Sequence, residues 1–300
     1  MNATIAIDHL TKRYDGVAAV DDVTFTVPRG SVCGLLGPNG SGKTTTFKCL
    51  LGFARPNSGG VSIEGKALEP QTFERLVYVP EKPALYESMS VGQHLELQRR
   101  CYRNYDAKRA NELIDRFGLD LRKRVERLSK GQHTALALVL AFSVRPEIFV
   151  LDEPASGLDP IFQRVVLDLI IEAAAGGSTV LFSSHQIGQV ERAADRVAIL
   201  LRGRLVLDDD VDDLRAGEKV VEAIFDQTIP NLDGLANDVR IRRTERSGRM
   251  LRVYAHADSD GVARRVEELG AKSATIRDVG LEEIFMNVVA ADRPSNLGVE

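Results

Sequence analysis

One stretch, Gly37-Pro38-Asn39-Gly40-Ser41-Gly42-Lys43-Thr44-Thr45, limits what this chain can fold into more than any other. It follows the apolar run Ser31–Leu36 and leads into the helix-like Thr45–Leu51, so it sits where a strand turns into a helix. That is the setting a phosphate-binding loop needs. Glycines let the backbone curl until successive N–H groups point inward at an anion, and the helix N-terminus adds partial positive charge. Lys43 would reach the β- and γ-phosphates, and the Thr44 hydroxyl would hold Mg²⁺. A bare glycine-rich turn is the competing reading, but it does not account for a lysine followed by a threonine.

The 300 residues suffice for one large domain or two smaller ones, and 44% hydrophobic with 27% charged residues is ordinary for a globular protein. A net charge of −4 argues against nucleic acid as the main partner. Cys33, Cys49 and Cys101 show no zinc spacing and read as reduced, buried thiols of a cytoplasmic protein. No secretory signal is visible at Met1–Ile5, and the longest apolar run, Ala135–Phe142, falls far short of a membrane span. Membrane association would therefore go through a partner.

Along the chain, Thr4–Ile7 and Val23–Val27 alternate as strands do, with Lys12-Arg13-Tyr14-Asp15-Gly16 between them. Val61–Gly65 and Leu76–Val79 read as further strands, the latter ending at Pro80-Glu81. From Val91 to about Leu121 the pattern turns helical, with apolar positions at Leu95, Leu97 and Tyr102 and again at Ala110, Leu113, Ile114 and Phe117. This insertion reads as a small helical subdomain, about residues 84–145, inside an α/β core. The charge cluster Arg122–Arg127 reads as solvated surface. Ser129 stands at the N-cap of the apolar helix that follows, which makes a second anion site.

Ile148–Leu151 is a buried-type strand ending in Asp152-Glu153. Behind a phosphate loop, carboxylates at a strand's carboxyl end suit Mg²⁺ coordination (Asp152) and deprotonation of an attacking water (Glu153). A helix from Phe162 to Ala175 follows. His185 closes the strand Thr179–Ser184, and its place at the strand's carboxyl end moves it toward the nucleotide. A helix Gln186–Ala194 and a strand Val197–Leu201 complete the alternation. From about residue 216 onward the texture is that of a small α+β domain without a catalytic cluster. It has a strand at Lys219–Phe225, a hairpin of Val239–Glu245 and Met250–Ala255, a helix Gly261–Leu269, a strand Ala274–Arg277 and a helix Leu281–Val289. Residues 291–300 read as a disordered tail.

With these pieces in place, residues 4–215 resemble the ATP-binding cassette family, the motor subunits of ABC transporters. Five motifs carry the resemblance: the phosphate loop, Leu128-Ser129-Lys130-Gly131-Gln132 as the signature, Ile148–Glu153, Ser156-Gly157-Leu158-Asp159, and His185. It implies a P-loop α/β cassette with a RecA-like core over residues 1–215, the helical subdomain within it, and the α+β domain at 216–290. It also implies an ATPase that uses ATP and Mg²⁺. The phosphate loop from Gly37 to Thr45 (Gly37, Pro38, Asn39, Gly40, Ser41, Gly42, Lys43, Thr44, Thr45) would bind nucleotide, and Tyr14 would stack on adenine. Lys43, Glu153 and His185 would be catalytic, and Thr44, Asp152 and Glu81 would serve the metal.

By the same resemblance, two cassettes close head-to-tail, so Ser129, Gly131 and Gln132 would bind the nucleotide of a second subunit and Asp159 would communicate across the dimer. The implied partners are that second cassette and an integral membrane permease, which would hold the protein on the inner face of the cell membrane. Two departures stand out: Lys130 replaces the usual glycine, and Glu81 the usual glutamine. Glu81, together with the ending Gly280-Leu281-Glu282-Glu283-Ile284-Phe285, looks like the branch that exports drugs, lipids or polymers. The alternatives are a soluble mechanochemical cassette and a regulatory subunit that binds ATP without turning it over.

Overall fold

The computed structural model describes residues 3–217, 219–230, 232, 235, 238, 240–256 and 258–291. The chain divides into two compact units, residues 1–208 and 209–300. The first opens with β1 (Ala3–Tyr14) and β2 (Val17–Pro28). Between them Asp15 and Gly16 take φ of 49° and 84°, the left-handed pair that a two-residue hairpin turn demands. The sequence pattern gives strands only at Thr4–Ile7 and Val23–Val27; instead, both strands run on to this turn and Tyr14 ends β1. Next come β3 (Val32–Leu36), α1 (Lys43–Leu50) and β4 (Ser58–Ile63). β4 and β2 flank β1 in an antiparallel sheet.

After β5 (Leu76–Val79) the helical insertion forms α2 (Val91–Cys101), α3 (Ala107–Phe117) and α4 (Lys130–Phe142). Ser90 and Ser129 each cap a helix reciprocally with a glutamine three residues on, Gln93 and Gln132. The apolar positions differ from the sequence pattern in one respect. Val91, His94 and Leu95 form the buried face of α2, whereas Leu97 and Tyr102 are each 38% exposed. His94 takes a core place because both ring nitrogens are satisfied: Nδ1 pairs with the Ser90 carbonyl at 2.9 Å and Nε2 accepts from the Tyr86 N–H at 3.1 Å. Cys33 and Cys49 are buried as expected, but Cys101 is exposed, because it closes α2 beyond the buried face.

The unit continues with β6 (Ile148–Leu151), α5 (Pro160–Ala175), β7 (Thr179–Ser184), α6 (Ile187–Ala193), β8 (Arg196–Leu201) and β9 (Arg204–Asp210). β9 has no counterpart in the sequence reading. It joins β8 through Arg202-Gly203, both at positive φ. Among the described residues the central sheet runs β5-β6-β7-β3-β8-β9 and is parallel from β5 to β8. β3, β6 and β7 are buried at every position, as strands covered on both faces must be. Leu35 on β3 and Phe47 and Leu50 on α1 share one core with Val150, Leu181 and Leu200, so the loop between β3 and α1 is anchored at both ends.

The second unit holds α7 (Val211–Gly217), β10 (Lys219–Ile224), β11 (Ile241–Ser247), β12 (Met250–Ala255), α8 (Ser259–Glu268), β13 (Ser273–Asp278) and α9 (Leu281–Ala291). The division at 208/209 leaves α7 here, in contact with α9. The antiparallel order β11-β12-β10-β13, with α8 between β12 and β13, is that of a split β-α-β, ferredoxin-like sheet. Val262 and Val266 of α8 cover one face, against Val221, Leu251 and Val253. On the other, the Tyr254 hydroxyl lies 3.1 Å from Glu283 and 3.2 Å from Glu245, while Arg277 binds both Glu283 and Glu222. Val239 and the tail from residue 292 lie outside the described residues.

Candidate active site

The strand order decides what meets at the site. β7 lies between β6 and β3, and because all three are parallel their carboxyl ends share one edge of the sheet. Asp152 and Glu153 leave β6 there, His185 leaves β7, and the Gly37–Gly42 loop leaves β3. The Gly37 N–H donates to the Ser184 carbonyl at 3.2 Å, tying the start of the loop to the end of β7.

Within the loop, Gly40 and Gly42 take φ of 79° and 107°. Gly42 occupies the N-cap of α1 without any side-chain cap, so the first N–H groups of α1 are left for a ligand. Lys43 folds back over the loop and donates to the carbonyls of Gly37 at 2.7 Å and Pro38 at 3.3 Å. Its Nζ also lies 3.2 Å from Glu153 Oε1. Glu153 Oε2 is 2.8 Å from His185 Nδ1, and the Glu153 backbone is left-handed at φ 51°.

These groups surround a cavity of about 460 Å³ lined by Asn39 through Thr45, Glu81, Glu153 and His185, together with Ala19 and Ser156. Ala19 was not singled out from sequence, since a small side chain in a strand carries no signal of its own, and Ser156 entered only as the first residue of the Ser156–Asp159 motif, without a role at the nucleotide. Tyr14, Gly37, Pro38, Asp152, Ser129, Gly131, Gln132 and Asp159 stand outside the lining. Tyr14 is 45% exposed, with Lys12 Nζ 4.9 Å from its ring centroid. Ser129 caps α4 by accepting from the Gln132 N–H, and Asp159 caps α5 by accepting from Ile161 and Phe162.

Asp152 lies behind the cavity, 1% exposed, and accepts from the Ser183 hydroxyl at 2.6 Å. Tyr78 sits in the same neighbourhood; burial, then the charges of Asp152 and Glu81, push its phenol up to about 12. Among the described residues, four buried side-chain polar atoms have no hydrogen-bond partner, and three of them are here: Ser41 Oγ, Asp152 Oδ2 and Glu153 Oε1. Buried polar atoms are normally paired, so this clustering fits a site completed by a nucleotide and its cation. No group of three or more His, Cys, Asp or Glu among the described residues could hold a metal by itself.

A parallel sheet with a glycine loop opening onto a lysine-bearing helix, faced by strand-end carboxylates, defines a phosphate-loop nucleotide-binding protein. The ABC transporter family model matches residues 20–156. ABC transporter ATP-binding protein YtrB of Bacillus subtilis (strain 168) is 30% identical over 285 residues, covering 94% of this chain and 97% of the relative. Daunorubicin resistance ATP-binding protein DrrA3 of Streptomyces coeruleorubidus is 30% identical over 97% of this chain and 98% of its own length. A solved ATP-binding subunit of an ABC transporter superposes with a TM-score of 0.65 at 33% identity, covering 71% of this chain and 92% of that one. The chain belongs to the ABC transporter ATP-binding proteins and is an ATPase of that family.

Proposed function

We propose that this ATPase powers export through a separate membrane subunit, by ATP-driven head-to-tail closure of two cassettes. The observation that carries the reading is that the cavity lining leaves out the exposed Ser129 cap of α4, and Gly131 and Gln132 with it. Residues 39–45, Glu81, Glu153, Ser156 and His185 line it together with Ala19, while Ser129 and Asp159 stand outside. A second cassette would bring its Ser129, Gly131 and Gln132 to the γ-phosphate. ATP then favours closure because it binds the closed dimer better than the open one, and hydrolysis removes that bias.

In the proposed chemistry Lys43 and the loop amides hold the β- and γ-phosphates, and Tyr14 stacks on adenine. Glu153 takes a proton from the attacking water as its oxygen bonds the γ-phosphorus and the bond from that phosphorus to ADP breaks. His185 holds Glu153 and contacts the γ-phosphate. Mg²⁺, held by Thr44 and Asp152 with Glu81 nearby, would neutralise phosphate charge.

Coupling to the membrane is supported by a groove of about 180 Å³ beside the Glu81 loop, lined by Pro80, Pro83, Leu85, Tyr102, Ala137 and Leu140. No helix among the described residues is long and apolar enough to cross a membrane; in this reading the membrane subunit supplies the pore. The site of action is then the cytoplasmic face of the cell membrane. Export as the direction rests on Glu81, the Gly280–Phe285 ending and the drug-resistance name of one relative. Affinity purification of the native protein from detergent-solubilised membranes tests the assembly: a copurifying integral membrane subunit is expected, and migration with ribosomes instead would sink the transport reading.

A further inference from the structure

Ser183 has no place in any of the motifs above, yet it bonds both carboxylate residues that end one of them. It is 0% exposed on β7, next to Phe182, which pairs with Leu151 of β6. The step beyond that pair sets Ser183 against the turn where β6 ends. There its hydroxyl makes two short bonds: it donates to Asp152 Oδ1 at 2.6 Å and accepts from the Glu153 N–H at 2.8 Å.

A hydroxyl has a single proton to give, and here it goes to the carboxylate. Oδ1 of Asp152 thus carries the serine's hydrogen bond, and Oδ2, buried and without a hydrogen-bond partner, is the oxygen with both lone pairs left for a cation. The second bond holds the amide of a residue whose left-handed backbone, φ 51°, an L-amino acid seldom adopts unless its surroundings impose it. One side chain thus sets both the oxygen that Asp152 offers and the backbone pose from which the Glu153 carboxylate reaches Lys43 and His185.

We propose that Ser183 is a positioning residue for ATP hydrolysis, orienting Asp152 toward the nucleotide-bound cation and Glu153 toward the attacking water. The proposal rests on the reading of Asp152 as a cation ligand and Glu153 as the base. Its neighbour Ser184 supplies a matched control. That serine is equally buried, but its hydroxyl bonds Gln189 and the Gln186 backbone on the α6 side rather than either carboxylate.

The test uses the full chain saturated with a non-hydrolysable ATP analogue and titrated with Mn²⁺, free Mn²⁺ being read by electron paramagnetic resonance. Loss of a group that orients a metal ligand typically weakens metal binding about 10–100-fold, and a loss of that size is expected for Ser183→Ala. Its kcat should fall more than its KM for ATP rises, and Ser183→Cys, with a weak S–H donor, should recover part of both. Ser184→Ala should lose comparable thermal stability while keeping its Mn²⁺ affinity. Unchanged Mn²⁺ affinity and kcat in Ser183→Ala, or losses matched by Ser184→Ala, would overturn the role of Ser183. Asp152→Asn separates the two readings: if it leaves Mn²⁺ binding intact, the cation assignment beneath the proposal falls.

Discussion

Lys43 Nζ stands 3.2 Å from Glu153 Oε1, with the two side chains only 6% and 9% exposed. The contact lacks hydrogen-bond geometry, so the pair is held by charge. Each group is the other's compensation for leaving water, and deleting one partner of such a pair strands the other at a cost of about 3–5 kcal/mol. A γ-phosphate arriving on Lys43 competes for the same ammonium. The base would then be released from the lysine only when substrate is in place.

From this pairing, Glu153→Gln keeps the loop and its lysine, and should bind ATP while losing the proton acceptor. Turnover should drop by about 10²–10⁴-fold, the usual contribution of a positioned base. Closed dimers should accumulate in ATP, seen as a doubled mass by light scattering. Wild-type hydrolysis rates in this variant would remove Glu153 from the role.

Ser129→Arg places a bulky cation on the exposed cap of α4, outside the cavity lining. Nucleotide binding to the monomer should stay within a few-fold of wild type, while ATP-induced dimerisation and hydrolysis are lost. Equilibrium dialysis with labelled ATP and sedimentation velocity read the two effects apart. Weakened binding in the monomer would contradict the assignment of Ser129 to the partner's nucleotide.

How far the sequence could be read depended on whether a residue acts through its own local pattern. The strand-to-helix setting of Gly37–Thr45, and Asp152-Glu153 after four apolar residues, are local, and these residues converge because parallel strands bring their ends together. β9 escaped notice because its acidic end, Asp208-Asp209-Asp210, breaks the apolar pattern of a strand, although the edge strand of the sheet needs none there. Leu97 and Tyr102 misled because apolar identity stands in for burial only when nothing else competes, and His94, with both nitrogens bonded, competes. Ser183 was illegible in principle: its role comes from β7 lying between β6 and β3, which one-dimensional spacing does not disclose.

Acid should loosen the second unit through Glu283. Two hydrogen bonds from Arg277, then the Gly280 N–H and the Tyr254 hydroxyl, hold its carboxyl down to about 2, against its ordinary 4.5. A depressed carboxylate pKa means the unfolded chain binds the proton more readily, so the stabilisation is present above about pH 4.5 and is lost as pH falls toward 2. Acid titration of the 209–300 transition, compared with Glu283→Gln, checks this. The variant should be less stable at neutral pH and show a flatter acid limb, and identical acid limbs would refute the linkage.

The glycines at 37 and 40 both look like loop glycines, but they should fail for different reasons. A Cβ on Gly37 would lie 2.4 Å from the Leu200 carbonyl and 2.5 Å from Ser41 Oγ, whereas on Gly40, at φ +79°, it would meet nothing within 4 Å. Gly37→Ala must therefore push the loop away from β8 and disturb the Ser41 hydroxyl. We expect a loss of about 1–3 kcal/mol, as for overpacking, and a clear loss of ATP affinity. Gly40→Ala carries only the backbone strain of a left-handed alanine, about 1–2 kcal/mol, with space left around the methyl. Its loop can keep its shape when ATP binds, so affinity should fall much less than in Gly37→Ala. Thermal melts with and without ATP distinguish them: Gly40→Ala should retain most of the ATP-induced rise in melting temperature and Gly37→Ala little of it, and the reverse order would show that the close approach at Gly37 does not shape the phosphate site.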